Sequence, residues 1–169
     1  TFPINDEISP FSLMTPGNVS PAIPLQKTSP FGCSEYAIKI NDYHLDSNGV
    51  PKIVAGASDT AGTLVKEFIA NEVFSFDFSM LFFDANHQYS ERPSIMVRLY
   101  DEHNNLVQYK CLVSNQECPF IEISGTINGA YMPWSKESLD TSSYIGKKLR
   151  AEITINDCPY NVHWATAFI

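Results

Sequence analysis

The densest group of side chains able to bind a ligand lies in a ten-residue stretch, residues 84–93. It contains Asp84, His87, Glu91 and Arg92, which offer hydrogen-bond donors and acceptors for sugar hydroxyls. Its carboxylates could instead bind a calcium ion. The alternative is that His87 and Glu91 bind backbone groups and hold an irregular loop in shape.

Aromatic residues form a second set of candidate ligand contacts. Tyr131 and Trp134 flank Met132 and Pro133 in a segment that we predict to be a loop, and Tyr89 and Tyr160 lie in other loop-like stretches. An exposed aromatic plane can stack on the apolar C–H face of a pyranose ring. Trp134 could equally pack in the core.

No pattern of a known catalytic centre is present in the sequence. Gly-x-Ser-x-Gly, His-Glu-x-x-His, a phosphate-binding loop and a dinucleotide fingerprint are all missing. Asp101 and Glu102 are adjacent carboxylates, but neighbouring residues in a turn point apart. We therefore expect a protein that is not an enzyme. The alternative is a glycan-active hydrolase, which would need two carboxylates about 5–10 Å apart.

Four cysteines, Cys33, Cys111, Cys118 and Cys158, bear on the cellular compartment. None belongs to a C-x-x-C motif, and no histidine lies at zinc-ligand spacing from a cysteine pair. The even number predicts two disulfides in an oxidising compartment, with three connectivities open. One of them closes a short loop between Cys111 and Cys118 and leaves Cys33 for Cys158. The alternative is four free thiols in a cytosolic protein.

The composition limits the possible partners. The 169 residues are 44% hydrophobic and 18% charged, which is typical of one globular domain. The formal net charge of −8, with no basic stripe, argues against nucleic-acid binding. No apolar stretch reaches the roughly 18–20 residues of a membrane span, so we expect no membrane insertion.

The pattern of apolar residues predicts an all-β protein. Residues 1–30 contain six prolines and are predicted to form an extended arm or a linker, whereas residues 31–169 form the folded domain. Alternating polarity predicts eight or nine short strands and no long helix, which indicates an antiparallel β-sandwich. The predicted strands span residues 35–40, 52–55, 63–68, 73–83, 94–100, 106–111, 120–124, 149–155 and 162–169.

Three stretches of the chain carry a resemblance to a known family. Residues 74–93 combine an aromatic strand with a loop that contains His87 and Glu91. Trp134 precedes residues 139–147, which contain the pattern Asp-x-Ser-x-Tyr-Ile-Gly. Residues 156–169 contain Asp157 and a His-x-x-x-Ala pattern. In this order they resemble jelly-roll domains of large secreted bacterial adhesins and gliding-motility-associated surface proteins. Ala85, Arg92, Asn161 and Val162 depart from that pattern.

The resemblance implies a jelly-roll fold similar to galactose-binding-like domains and carbohydrate-binding modules. It implies a secreted or cell-surface adhesion module, joined to neighbouring domains of a longer chain, that binds carbohydrate or another surface ligand. A structural spacer or assembly domain is the alternative. Jelly-roll modules of this kind often hold a structural calcium ion between their first and last strands, for which the candidate ligands are Asn41, Asp42, Asp59 and Asp157.

Overall fold

The structure is a computed structural model that describes residues 3–6, 9–32, 34–52, 62–83, 92–113, 120–126, 129–157 and 164–169. Its regular structure in these ranges consists of strands and one 3₁₀ turn, Ser142–Tyr144, so the all-β prediction is confirmed. Twelve strands are present in this part of the chain, more than the eight or nine predicted. They are β1 Phe11–Met14, β2 Asn18–Ser20, β3 Ile23–Gln26, β4 Ala37–Ile40, β5 Gly62–Ile69, β6 Val73–Phe83, β7 Ser94–Tyr100, β8 Leu106–Val113, β9 Ile121–Glu122, β10 Gly129–Asp140, β11 Lys148–Asn156 and β12 Trp164–Phe168.

The strands form two antiparallel sheets that pack face to face as a β-sandwich, as predicted. One sheet has six strands in the order β1-β4-β12-β6-β10-β9, and the other has four in the order β5-β11-β7-β8. A small hairpin, β2–β3, forms a separate two-stranded sheet. Among the described residues, none forms a helix long and apolar enough to cross a membrane.

The main core lies between the two sheets and follows from alternation along the strands. In β6, Phe78, Met80 and Phe82 point toward the four-stranded sheet, and Phe74 and Phe76 are partly buried against the same core. Because successive side chains of a strand point to opposite faces, every second residue of β7 and β11 faces them. These residues are Ile95, Val97, Leu99, Ala151, Ile153 and Ile155.

A second core covers the outer face of the six-stranded sheet. Leu81 and Phe83 of β6 point to this face and are buried under the β2–β3 hairpin, which contributes Val19, Ile23 and Leu25. The second half of β6 is therefore buried on both faces. The proline-rich segment, which we predicted as an extended arm or linker, contains β1, β2 and β3, and β1 pairs with β4.

Strand β10 differs from the sequence-based prediction. The segment with Tyr131 and Trp134, predicted as a loop, lies within a twelve-residue strand that pairs with β6. The pairing shifts register between Met132 and Ser135. Pro133 lies in this bulge, where its missing N–H removes no ladder hydrogen bond. The strand was not predicted because Pro133 made this segment resemble a loop in the sequence.

The structure does not support the predicted disulfide at Cys111. This residue lies in β8 opposite Met96 and is a free, half-buried cysteine. Met96 lies between Ile95 and Val97, whose side chains enter the main core, so Met96 and Cys111 both point to the outer face of the four-stranded sheet. The other three cysteines, Cys33, Cys118 and Cys158, lie outside the described residues.

Candidate functional site

An apolar groove of about 400 Å³ opens between the β2–β3 hairpin and strands β9 and β10. It lies on the side of the six-stranded sheet that faces away from the main core. None of the described side chains that line it is charged, although the protein as a whole carries a net charge of −8. The lining residues are Pro24, Leu25, Gln26, Pro30, Phe31, Ile121, Tyr131, Pro133 and Trp134.

Two residues that the sequence singled out, Tyr131 and Trp134, line this groove together. Each is only 8% exposed, because most of each ring packs in the second core. The indole Nε1 of Trp134 donates a hydrogen bond of 2.8 Å to the backbone oxygen of Gln26. Both rings therefore contribute to the fixed wall of the groove. For Trp134 this agrees with the core-packing alternative, and ligand contact by either residue stays a prediction.

The exposed part of the groove comes from residues that the sequence analysis did not select. Phe31 is 57% exposed and Ile121 is 44% exposed, and both line the groove. Pro24 and Pro30 are also exposed lining residues. The sequence does mark Phe31 as an aromatic residue that directly follows Pro30 in a segment without alternating polarity, and this could have identified it as a surface residue.

Hydrogen bonds hold the segment that carries Phe31 against the sheet. The hydroxyl of Ser29 donates to Oδ2 of Asp77 in β6 over 2.8 Å, and the backbone N–H of Phe31 donates to the Ser29 oxygen over 3.0 Å. The ammonium of Lys136 lies 3.8 Å from Oδ1 of Asp77. Asp77 is thus a positioning residue for the exposed wall of the groove.

The other predicted ligand contacts do not line this groove in the described part of the chain. Arg92 is half-buried and is absent from the groove wall. The remaining candidates, His87, Tyr89, Glu91 and Tyr160, lie outside the described residues.

The candidate calcium ligands Asn41 and Asp157 are hydrogen-bonded to each other and to backbone groups. The Nδ2 of Asn41 donates to Oδ1 of Asp157 over 3.4 Å and to the backbone oxygen of Ala165 over 3.2 Å. Its Oδ1 accepts from the N–H of Gly62 at 2.9 Å, and Oδ1 of Asp157 accepts from the N–H of Ala165 at 2.7 Å. These oxygens bind N–H donors and connect the ends of β4, β5, β11 and β12.

The third described candidate, Asp42, points elsewhere. Its Oδ2 lies 2.8 Å from Nε2 of His44. Within the described ranges, no group of three or more His, Cys, Asp or Glu side chains could hold a metal ion, and Asp59 lies outside those ranges. The described donor set does not fit a shared calcium site, and calcium binding stays a prediction.

Perturbed carboxyl groups lie away from the groove. The pKa of Asp101 is lowered from 3.8, first by a hydrogen bond from the side chain of Asn105. The pKa of Glu67 is lowered by a hydrogen bond from Lys148, while those of Asp46 and Asp140 are lowered mainly by backbone N–H donors. Asp46, Glu67 and Asp140 are exposed and Asp101 is half-buried, and the hydrogen bonds that lower their pKa values belong to turns and to one surface ion pair.

Comparison with known proteins gives one weak structural similarity. No protein-family model matches the chain, and no curated protein matches it. A solved structure described as TmCBM61 in complex with beta-1,4-galactotriose has a TM-score of 0.38 and 11% sequence identity, covering 96% of this chain and 85% of that chain. A similarity of this size is too low to support a conclusion about ligand or activity.

Proposed function

We propose that this chain is a non-catalytic carbohydrate-binding module and that the groove between the hairpin and β10 is its saccharide site. The observation that carries the proposal is the uncharged groove wall, in which Phe31, Tyr131 and Trp134 line one concave surface. Its volume of about 400 Å³ lies within the usual range of about 300–1,000 Å³ for small-molecule sites.

The groove matches the two-sided chemistry of a sugar. The C–H face of a pyranose can pack on the exposed ring of Phe31 and on the neighbouring prolines. The side-chain amide of Gln26, an exposed lining residue, can both donate to and accept from a hydroxyl. Because no charged side chain lines the groove, a neutral saccharide would keep its hydroxyl hydrogen bonds and leave no charge unpaired.

The same wall gives little support to hydrolysis. Its described lining includes no Asp, Glu, His or Cys side chain, so it offers neither a carboxylate pair nor an activated nucleophile. We also propose, from the resemblance of residues 53–169 to adhesin domains, that the module acts outside the cell as part of a larger surface protein.

Substitution of the most exposed aromatic residue of the groove tests the proposal. A library of neutral oligosaccharides, including β-1,4-galacto-oligosaccharides, would be screened, and hits would be titrated by calorimetry. We expect Phe31→Ala to weaken binding at least tenfold, about 1.4 kcal/mol, because a sugar ring loses its stacking partner. Tyr36→Ala is the matched control, since Tyr36 is 51% exposed and does not line the groove.

Two results would contradict the proposal. One is that the native chain binds no neutral saccharide, which would favour the spacer alternative. The other is that Phe31→Ala and Tyr36→Ala bind the saccharide as tightly as the native chain does.

A further inference from the structure

The outer face of the four-stranded sheet is a second candidate surface, on the opposite side of the sandwich from the groove. Ile95, Val97 and Leu99 of β7 point into the main core. Because strand residues alternate, Arg98 and Tyr100 point outward, and both are half-buried. On the neighbouring strands, the side chains directly opposite Arg98 and Tyr100 lie on this same outer face.

Among the described residues, the charged side chains on this face form ion pairs except Arg98, which lies opposite Glu152 in the register of β7 and β11. Nη2 of Arg150 lies 3.2 Å from Oε1 of Glu152, and Nζ of Lys148 lies 2.7 Å from Oε2 of Glu67. Arg98 takes part in no hydrogen bond or ion pair with the residues that the structure describes. This surface thus has one positive charge in excess on a protein whose net charge is −8.

An aromatic ring lies beside the unpaired arginine. Tyr109 of β8 stands directly opposite Arg98 in the antiparallel register and is 52% exposed. On the same face, the guanidinium carbon of Arg150 lies 4.9 Å from the ring centre of Tyr100. The guanidinium of Arg150 is therefore engaged by Tyr100 and Glu152 within the protein, whereas the guanidinium of Arg98 keeps its planar set of donors.

We propose that Arg98 and Tyr109 form a second binding site, specific for acidic saccharides that contain uronate residues. The guanidinium donors match the two oxygens of a carboxylate in a bidentate arrangement. The adjacent Tyr109 ring can pack against the apolar face of the same sugar, which distinguishes a uronate glycan from an acidic peptide as the occupant. The described outward-facing charges of this sheet sum to one positive charge, so this face can attract an anion although the net charge of the protein is −8.

Binding to polygalacturonate tests this second site. We expect the native chain to bind it with an affinity that falls as salt rises, and Arg98→Gln to weaken binding at least tenfold. Arg98→Lys should recover only part of the affinity because it keeps the charge and loses the planar donor set. Tyr109→Ala should also weaken binding, whereas Lys66→Gln, an exposed charge change on β5, should not.

Chemical variants of the probe separate the possible outcomes. Methyl-esterified polygalacturonate keeps the sugar rings and lacks the charge, so we expect it to bind poorly to the Phe31→Ala variant, in which the groove for neutral saccharides is weakened. The proposal would be overturned if polygalacturonate did not bind, if the esterified polymer bound the Phe31→Ala variant as well as polygalacturonate does, if polyglutamate bound equally well, or if Arg98→Gln bound as tightly as the native chain. If the groove proposal alone is wrong, the native chain would bind polygalacturonate and would bind no neutral saccharide.

Discussion

Two fully buried serines, Ser12 and Ser79, differ in whether their hydroxyl groups have hydrogen-bond partners. The hydroxyl of Ser12 donates to the backbone oxygen of Pro3 over 3.0 Å and accepts from the N–H of Asp6 over 2.9 Å. The hydroxyl of Ser79 is also inaccessible to solvent but has no hydrogen-bond partner among the described residues. Ser79 lies in β6 between Phe78 and Met80, beside the β10 bulge, where the ladder shifts register.

The two serines should respond oppositely to alanine substitution. We expect Ser79→Ala to leave the free energy of unfolding unchanged or to raise it by up to about 1 kcal/mol, because an unpaired buried hydroxyl is removed. Ser12→Ala should lower it by about 1–2 kcal/mol, since it leaves the N–H of Asp6 without that acceptor. Urea unfolding measures both, and a loss above about 1 kcal/mol for Ser79→Ala would contradict the assignment.

The turn after β7 should make stability depend on pH. Asp101 accepts hydrogen bonds from the backbone of His103 and Asn105 and from the Asn105 side chain, and these lower its pKa from 3.8. Because the folded pKa lies below the unfolded value, this stabilisation is complete above pH 3.8 and is lost as pH falls through the folded pKa.

We expect the difference in stability between Asp101→Ala and the native chain to disappear in acid. Asp101→Ala should be less stable than the native chain at pH 7, and the difference between their urea midpoints should shrink as pH falls below 3.8. Because the other carboxyl groups titrate in both proteins, the difference isolates Asp101. A gap that stays constant from pH 7 to pH 2 would show that the carboxylate does not stabilise the turn.

At the scale of elements, the segment between β3 and β4 should depend on Asp77 for its position. Removing the carboxylate in Asp77→Ala breaks the hydrogen bond from Ser29 that holds the Phe31 backbone. We expect neutral-saccharide affinity to fall about three- to tenfold, the cost of re-ordering the segment on binding. Calorimetric titration measures this loss.

Two variants control this prediction. Ser29→Ala should reproduce the affinity loss, because it removes the same link from the other side. Lys136→Gln should bind normally, since the 3.8 Å contact of this exposed lysine with Asp77 is a surface ion pair of small energy. Native affinity in Asp77→Ala, with normal folding, would show that Phe31 is held by other contacts.

The elements that were predictable from sequence are those whose alternation reflects one buried face. Strands β7 and β11 and the first half of β6 follow this rule, with residues such as Val97 and Ile153 in the main core. The bounds of β6 and β7 were obtained from the pattern because both strands are long and separated by turn-forming residues.

The rest depended on contacts distant in sequence. The β2–β3 hairpin is rich in proline, and only packing on Leu81 and Phe83 shows that it covers a sheet. The groove was half predictable: Tyr131 and Trp134 were selected by residue type, whereas Phe31 reaches the site through a hydrogen bond across 48 residues. Neither the secondary-structure propensities of the residues nor the spacing of apolar residues can indicate a contact between positions so far apart in the sequence.

At the scale of the whole molecule, the sandwich separates two surfaces of different chemistry. The uncharged groove lies outside the six-stranded sheet, and Arg98 and Tyr109 lie outside the four-stranded sheet. The edge between the sheets is bridged by the ion pair of Lys110 with Glu137 and by Gln108, whose side chain donates to the backbone of Asp140. These bridges fix one sheet against the other and so fix the relative placement of the two surfaces.

Because the surfaces lie on opposite faces of a packed sandwich, we expect them to bind independently. Packed sheets alone lie about 10 Å apart, so a ligand on one face does not contact the other. Saturating the groove with a neutral oligosaccharide should leave the dissociation constant for polygalacturonate within about twofold, because no coupling element changes state. Titration of the native chain with each ligand in the presence of the other measures this. Competition between the ligands would place both on one surface, and loss of both in Phe31→Ala would identify that surface as the groove.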